Sequence, residues 1–254
     1  MNGAFYIGAT GLRAQERALA VTANNIANLN TPSFKRTQVR FGELTSAASE
    51  PDGLARPSLS SGAGVAAMAT MAVFDQGELR ATGSATDLAI QGPGFIEVMG
   101  AAGQRLLWRG GTLTISPDGL LSTTEGLPLQ ALITIPEGVT DLRVALDGTV
   151  AAALGEDGGL TELGRIDLIS IRDPGSLEAL GGGLYRPSAD DSGAVMVPGE
   201  EGAGTIVQGA LEASNVALAN EMVTLMLLQR AYSASAQALQ AGDQLMGIAN
   251  GLRR

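Results

Sequence analysis

The sequence predicts an α+β protein: long N- and C-terminal helices pairing as a coiled-coil-like stalk, with an antiparallel all-β middle domain between them. Three observations predict it. Large apolar residues recur every seven positions at both ends of the chain. Between the ends, runs rich in Leu, Ile and Val are broken by turn signals, with no strand–helix–strand rhythm. The formal charge of −10 is unevenly spread: residues 1–50 carry net +2, residues 51–204 net −12 and residues 205–254 net 0. Together these divide the chain into an N-terminal helix and loop (1–44), an extended linker (45–74), an acidic β middle domain (75–204) and a C-terminal helix (205–254).

Phe5, Leu12, Leu19 and Ile26 set the first heptad register, with helix-tolerant residues such as Ala14, Gln15 and Ala18 between them. The helix they predict runs from about residue 3 to 28, or ~39 Å. Asn28, Leu29, Asn30, Thr31 and Pro32 end it, because Asn tolerates the left-handed conformation and Pro32 pushes Thr31 out of the helical region. Residues 45–64 are rich in Ser, Ala, Pro and Gly and read as extended linker.

The strand candidates of the middle are Leu88–Val98, Arg105–Ile115, Leu142–Leu146 and Ile166–Ile171. Pro117-Asp118-Gly119, Glu125-Gly126 and Asp147-Gly148 separate them, and Gly181-Gly182-Gly183 is a further break. Gly92-Pro93-Gly94 is a turn rather than a dinucleotide loop, since Glu97 stands where a third Gly would be.

At the C-terminal end Leu211, Leu218, Leu225, Tyr232, Leu239 and Met246 hold the seven-residue interval. The accompanying positions (Asn215, Met222, Gln229, Ala236, Asp243, Asn250) are mostly polar or small, so this is half of a coiled-coil seam. The predicted helix, about residue 210 to 250, is ~60 Å long; Gly242 and Gly247 weaken it, and Arg253 and Arg254 suit the negative end of its dipole.

Two helices of such unequal length leave apolar surface bare in a monomer. Packing between molecules covers it, and the near-neutral ends can crowd together where a −12 middle must face solvent. Periodicity leaves open the alternative that the helices fold back as an antiparallel pair within one molecule.

The chemistry excluded is broad. With no His and no Cys there is no imidazole base, thiolate, disulfide or zinc site built from those residues. One lysine, Lys35, in a net-negative chain argues against nucleic-acid binding. No run approaches the roughly 18 apolar residues of a membrane span, and the N-terminus lacks the basic region of a cleaved signal. Asp190-Asp191, Glu200-Glu201 and Glu156-Asp157 read as solvated loops rather than calcium ligands or a glycosidase pair. No metal or cofactor is expected.

The run from Ala23 to Arg36, Ala-Asn-Asn-Ile-Ala-Asn-Leu-Asn-Thr-Pro-Ser-Phe-Lys-Arg, resembles the N-terminal signature of the bacterial flagellar rod and hook proteins. Gln76-Gly77-Glu78-Leu79, Thr82-Gly83, Asp87-Leu88-Ala89-Ile90 and Gly92-Pro93-Gly94-Phe95 resemble the entry to their middle domain. Gly209 to Val216, Glu221-Met222 and Gln229-Arg230-Ala231-Tyr232 resemble their C-terminal end. Phe41-Gly42-Glu43-Leu44, Asp147-Gly148-Thr149-Val150 and Leu177 to Gly181 followed by Leu184-Tyr185 look most like the distal-rod type, with the proximal-rod type close behind.

The resemblance implies a non-enzymatic subunit, exported uncleaved by the flagellar export apparatus. It would polymerise through its terminal helices into the hollow periplasmic rod of the basal body, which transmits torque to the hook. The implied partners are copies of itself, other rod and hook subunits, the export apparatus and surrounding ring proteins. The expected assembly interface is Leu12, Leu19, Asn24, Asn25, Ile26, Asn28, Phe34, Leu218, Leu225, Gln229, Arg230, Tyr232 and Leu239. The match departs at Ser33, where the family usually has Gly; a positive φ there would cost Ser on the order of 1 kcal/mol.

Two rival classes remain at this point: an acidic β-domain hydrolase using carboxylates with a helical dimerisation stalk, and a monomeric binding module. The rod reading expects residues 75–200 alone to be soluble and monomeric.

Overall fold

The computed structural model describes residues 2–45, 62–154, 159–188, 193–200 and 202–251. The chain divides into two compact units. The first comprises Met1–Ala27, Thr37–Met71 and Ala217–Arg254, and the second Asn28–Arg36 and Ala72–Val216.

The first unit holds helix α1 (Asn2–Ala27), strands β1 (Thr37–Thr45) and β2 (Gly62–Ala72), which pair with each other, and helix α2 (Leu218–Gly251). α1 stops at Ala27, where Asn28 and Thr31 close a turn through Thr31 N to Asn28 O and Thr31 Oγ1 to Asn28 Oδ1, ahead of Pro32. α2 begins at Leu218, later than the heptad register suggests, because residues 210–212 form a strand instead. Most of the expected linker, residues 46–61, lies outside the described residues, as do Glu156-Asp157, Asp190-Asp191, Glu201, Arg253 and Arg254.

The coiled-coil-like stalk is not what these helices form. Among the described residues the chain has only two α-helices and a predominantly β middle. The buried stripe of α1 is Ala14, Ala18, Thr22 and Asn25, not the heptad Phe5, Leu12, Leu19 and Ile26, which are only half-buried. Its contacts with α2 run antiparallel: the Phe5 ring lies against Gly242, Gly8 against Leu239, Gln15 Nε2 donates to Ser235 Oγ, and Asn25 Nδ2 to Glu221 Oε2. Such a seam of glycine, alanine, hydroxyl and amide groups offers few apolar knobs. Knobs-into-holes supercoiling needs apolar residues at both heptad positions, and the second position on α2 is mostly polar or small.

The second unit is built from β3 (Leu79–Ala81), β4 (Asp87–Gln91), β5 (Phe95–Met99), β6 (Arg105–Trp108), β7 (Gly110–Ile115), β8 (Leu121–Thr123), β9 (Val139–Val144), β10 (Thr149–Leu154), β11 (Gly159–Arg165), β12 (Leu168–Ser170), β13 (Glu178–Gly181), β14 (Leu184–Arg186), β15 (Ala194–Met196), β16 (Thr205–Gln208) and β17 (Ala210–Glu212). These make a six-stranded sheet in the order β13-β14-β6-β5-β12-β15 and a four-stranded sheet β16-β4-β7-β8. A three-stranded sheet β11-β10-β9 and the pair β17-β3 complete the unit. Leu88, Ile90, Ile96, Val98, Trp108, Leu121, Val150, Leu168 and Ile206 form its main core.

The apolar segment Leu88–Val98 forms two strands in different sheets, parted at the expected Gly92-Pro93-Gly94 turn. Gly92 (φ 101) and Gly94 (φ 130) turn the chain between them, and a Cβ on Gly94 would press to 3.2 Å on Leu168. Arg105–Ile115 divides in the same way, at Arg109. β4 is buried from Asp87 to Ile90, so its burial is continuous and shows no alternation.

Candidate assembly site

Ser33 adopts φ 58, so the turn after α1 does need the left-handed region. Its hydroxyl donates to Gly110 O at 2.9 Å and its amide to Glu212 O at 2.7 Å, tying it to β7 and β17. Gly183 makes room: a Cβ there would stand 3.1 Å from that of Ser33.

Two residues on, the chain's only lysine enters the interior. Lys35 Nζ lies 2.6 Å from Glu212 Oε1 and donates to Asp75 O at 2.8 Å. Glu212 Oε1 also accepts from Gly77 N at 2.7 Å, and Oε2 from Arg109 Nε at 3.2 Å. Arg109 donates further to the carbonyls of Gly94 and Gly92 and to Gln76 Oε1, while Gln76 Nε2 reaches Ile90 O. The Phe95 ring lies 5.8 Å from the Arg109 guanidinium and packs edge-on with Phe74 and Tyr185.

The Glu212 side chain is 0% exposed and that of Lys35 1%. Burial pushes the Lys35 ammonium below its ordinary pKa, against the opposing pull of its hydrogen bond and charge pairing with Glu212. Burial also raises the Tyr185 phenol. Asn215 completes the joint: its amide donates to Val73 O and Asp75 O and its oxygen accepts from Arg36 N. One buried polar node thus ties together the three segments by which the chain enters and leaves the second unit: 28–36, 72–77 and 209–216.

The first unit has a smaller node. Asn25, 2% exposed, donates to Thr37 O and accepts from Thr37 N at 2.9 Å each. With its bond to Glu221 it joins the end of α1, the start of β1 and the start of α2.

The expected interface residues scatter across several environments. Asn25 is buried inside its own unit; Leu12, Leu19, Ile26, Asn28, Phe34, Leu225 and Leu239 are half-buried; Asn24, Leu218, Gln229, Arg230 and Tyr232 are exposed. The inward stripe of α2 is Glu221, Leu225, Leu228, Ala231, Ser235 and Leu239. Its other faces expose Met222, Val223, Met226, Leu227 and Ile248, between 49 and 60%. Glu212 and Arg109 escaped the list of candidates because neither carries a local pattern. The signal for Glu212 was its place in the Gly209–Val216 match together with a single lysine needing a partner. No helix among the described residues is long and apolar enough to cross a membrane.

Two terminal helices, together with a β unit that holds a buried polar node, fit a class of protein that comparison with known families makes explicit. Residues 5–35 match the family described as flagella basal body rod protein, residues 89–152 the flagellar hook protein FlgE/F/G D1 domain, and residues 207–252 the flagellar basal body rod FlgEFG protein C-terminal region. The chain is 33% identical to the flagellar basal-body rod protein FlgG of Borreliella burgdorferi, with all of both chains covered. It is 33% identical to FlgG of Caulobacter vibrioides, covering 96% of this chain and 97% of that one. The same organism's FlgF is also 33% identical, over 96% and 95%. The chain belongs to the flagellar basal-body rod protein family.

Proposed function

We propose that this chain is a structural, non-enzymatic subunit of the flagellar basal-body rod, of the FlgG or distal-rod type. It assembles with further copies and with other rod and hook subunits into a hollow shaft that carries torque across the periplasm. Export without a cleaved signal belongs to the same reading. The observation that carries it is the row Met222, Val223, Met226 and Leu227 on α2, about half exposed or more in a helix whose own partner α1 lies against a different face. Contiguous exposed apolar surface marks an interaction face, and family membership makes a fellow subunit the natural occupant. The carboxylate hydrolase gives way to that membership.

Leu225→Asp is a poor test, since Leu225 sits half-buried on the inward stripe and the change would disturb the protomer itself. Met226→Asp is the better one. In cells relying on this variant, rods should be missing and swimming lost. The purified variant should keep the parent's helical signal and melting temperature. Complete rods and normal swimming would refute the reading. A proximal-rod role is the second reading, favoured by the FlgF relative at equal identity; a label on the chain found at the end of the rod remote from the hook would establish it.

A further inference from the structure

Gly11 sits in the interior of α1, where glycine is among the poorest helix formers. Among the described residues, no atom outside its own turn of helix lies within 4 Å of where its Cβ would stand. Gly8 and Gly64 differ: a Cβ on Gly8 would reach 2.6 Å from Leu239, and one on Gly64 would collide with Thr10. Packing within the protomer therefore explains Gly8 and Gly64 but not Gly11. Gly11 instead opens onto a groove of about 520 Å³ lined by Gly8, Gly11, Gly64, Val65, Ala238 and Leu239, between α1, α2 and β2 of the first unit. At its edge Ser235 accepts from Gln15 Nε2, while Gln15 Oε1 is buried without a donor among the described residues.

The same chain carries a ridge to match. Met222 with Met226 and Val223 with Leu227 form adjacent rows at i and i+4 on α2, and ridges of this kind seat in grooves floored by small residues. Neither surface carries a repelling charge: residues 2–12, 222–229 and 231–242 contain no Asp, Glu, Lys or Arg. Gln229, exposed just beyond the ridge, offers an amide donor.

We infer that the groove floored by Gly11 receives the Met222–Leu227 ridge of a second copy of this chain. The inference rests on the self-assembly reading above and specifies its contact. Ridge and groove are different patches, so the contact is head-to-tail and propagates without closing. Groove and ridge centre about 14 residues apart on α2, which staggers parallel neighbours by ~21 Å along that helix.

The chain has no cysteine, so engineered pairs report cleanly. Full-length Gly11→Cys and Leu227→Cys chains are mixed, allowed to assemble and oxidised. Cross-linked dimers are expected from the mixture and from neither variant alone. A second variant, Gly11→Leu, fills space that is empty in the protomer; it should melt no lower than the parent yet lose assembly in sedimentation. Assembly of the mixture without the cross-link, or normal assembly of folded Gly11→Leu, overturns the inference and leaves the rod reading standing. A parent chain that stays monomeric under every assembly condition overturns both.

Discussion

Ser33 holds a backbone conformation that favours glycine and compensates through its own hydroxyl. The left-handed region costs a non-glycine residue roughly 1–2 kcal/mol, and a buried hydrogen bond such as that to Gly110 O returns about 0.5–1.5 kcal/mol. Ser33→Gly should therefore change unfolding free energy by less than ~1 kcal/mol. Ser33→Ala keeps the strain, loses the bond and should destabilise by about 1–2 kcal/mol in urea. At the neighbouring node the two ends of one ion pair are unequal. Glu212→Gln removes the carboxylate from two buried cations and should cost about 3–5 kcal/mol. Lys35→Met leaves Glu212 with Arg109 and the Gly77 amide and should cost clearly less. Equal losses by chemical denaturation would mean the node is not organised around Glu212.

At the scale of elements, the node decides what folds alone. Residues 75–204 lack Ser33, Lys35 and Glu212 and keep Arg109, whose guanidinium is buried. That fragment should be unfolded or less stable by about 3–5 kcal/mol than a fragment spanning 28–216, as judged by circular dichroism and melting; equal melting temperatures would refute this. Equal melting temperatures would instead favour the expectation that residues 75–200 fold on their own. The end of α1 was legible because Asn and Pro act locally on the backbone. The heptads were legible as residues but misleading as a seam, since the protomer packs α1 through Ala14, Ala18 and Gly8, which periodicity in large apolar residues does not register. The turn at Gly92-Pro93-Gly94 between β4 and β5 was legible, but a turn does not say that the next strand joins another sheet. The place of Ser33 was legible from family resemblance; its partner Gly110 lies 77 residues away and could not be.

For the whole molecule, charge and apolar surface are separated along the chain. The acid excess of residues 51–204 sets a repulsion between copies, while residues 2–12, 222–229 and 231–242 of the two helices carry no charge. Raising ionic strength from about 0.01 to 0.1 M shortens the Debye length from roughly 30 to 10 Å. It should therefore promote assembly of the full chain, seen as a shift to faster sedimentation; dissociation by salt would point to ion pairs between subunits instead. The central claim is that the wet apolar face of α2 is covered by other subunits in the shaft, and thiol labelling of Met226→Cys in this cysteine-free chain tests it most directly. The dilute protomer should react fast with a water-soluble maleimide, and the same residue in isolated basal bodies should be protected; equal reactivity in both would contradict the account.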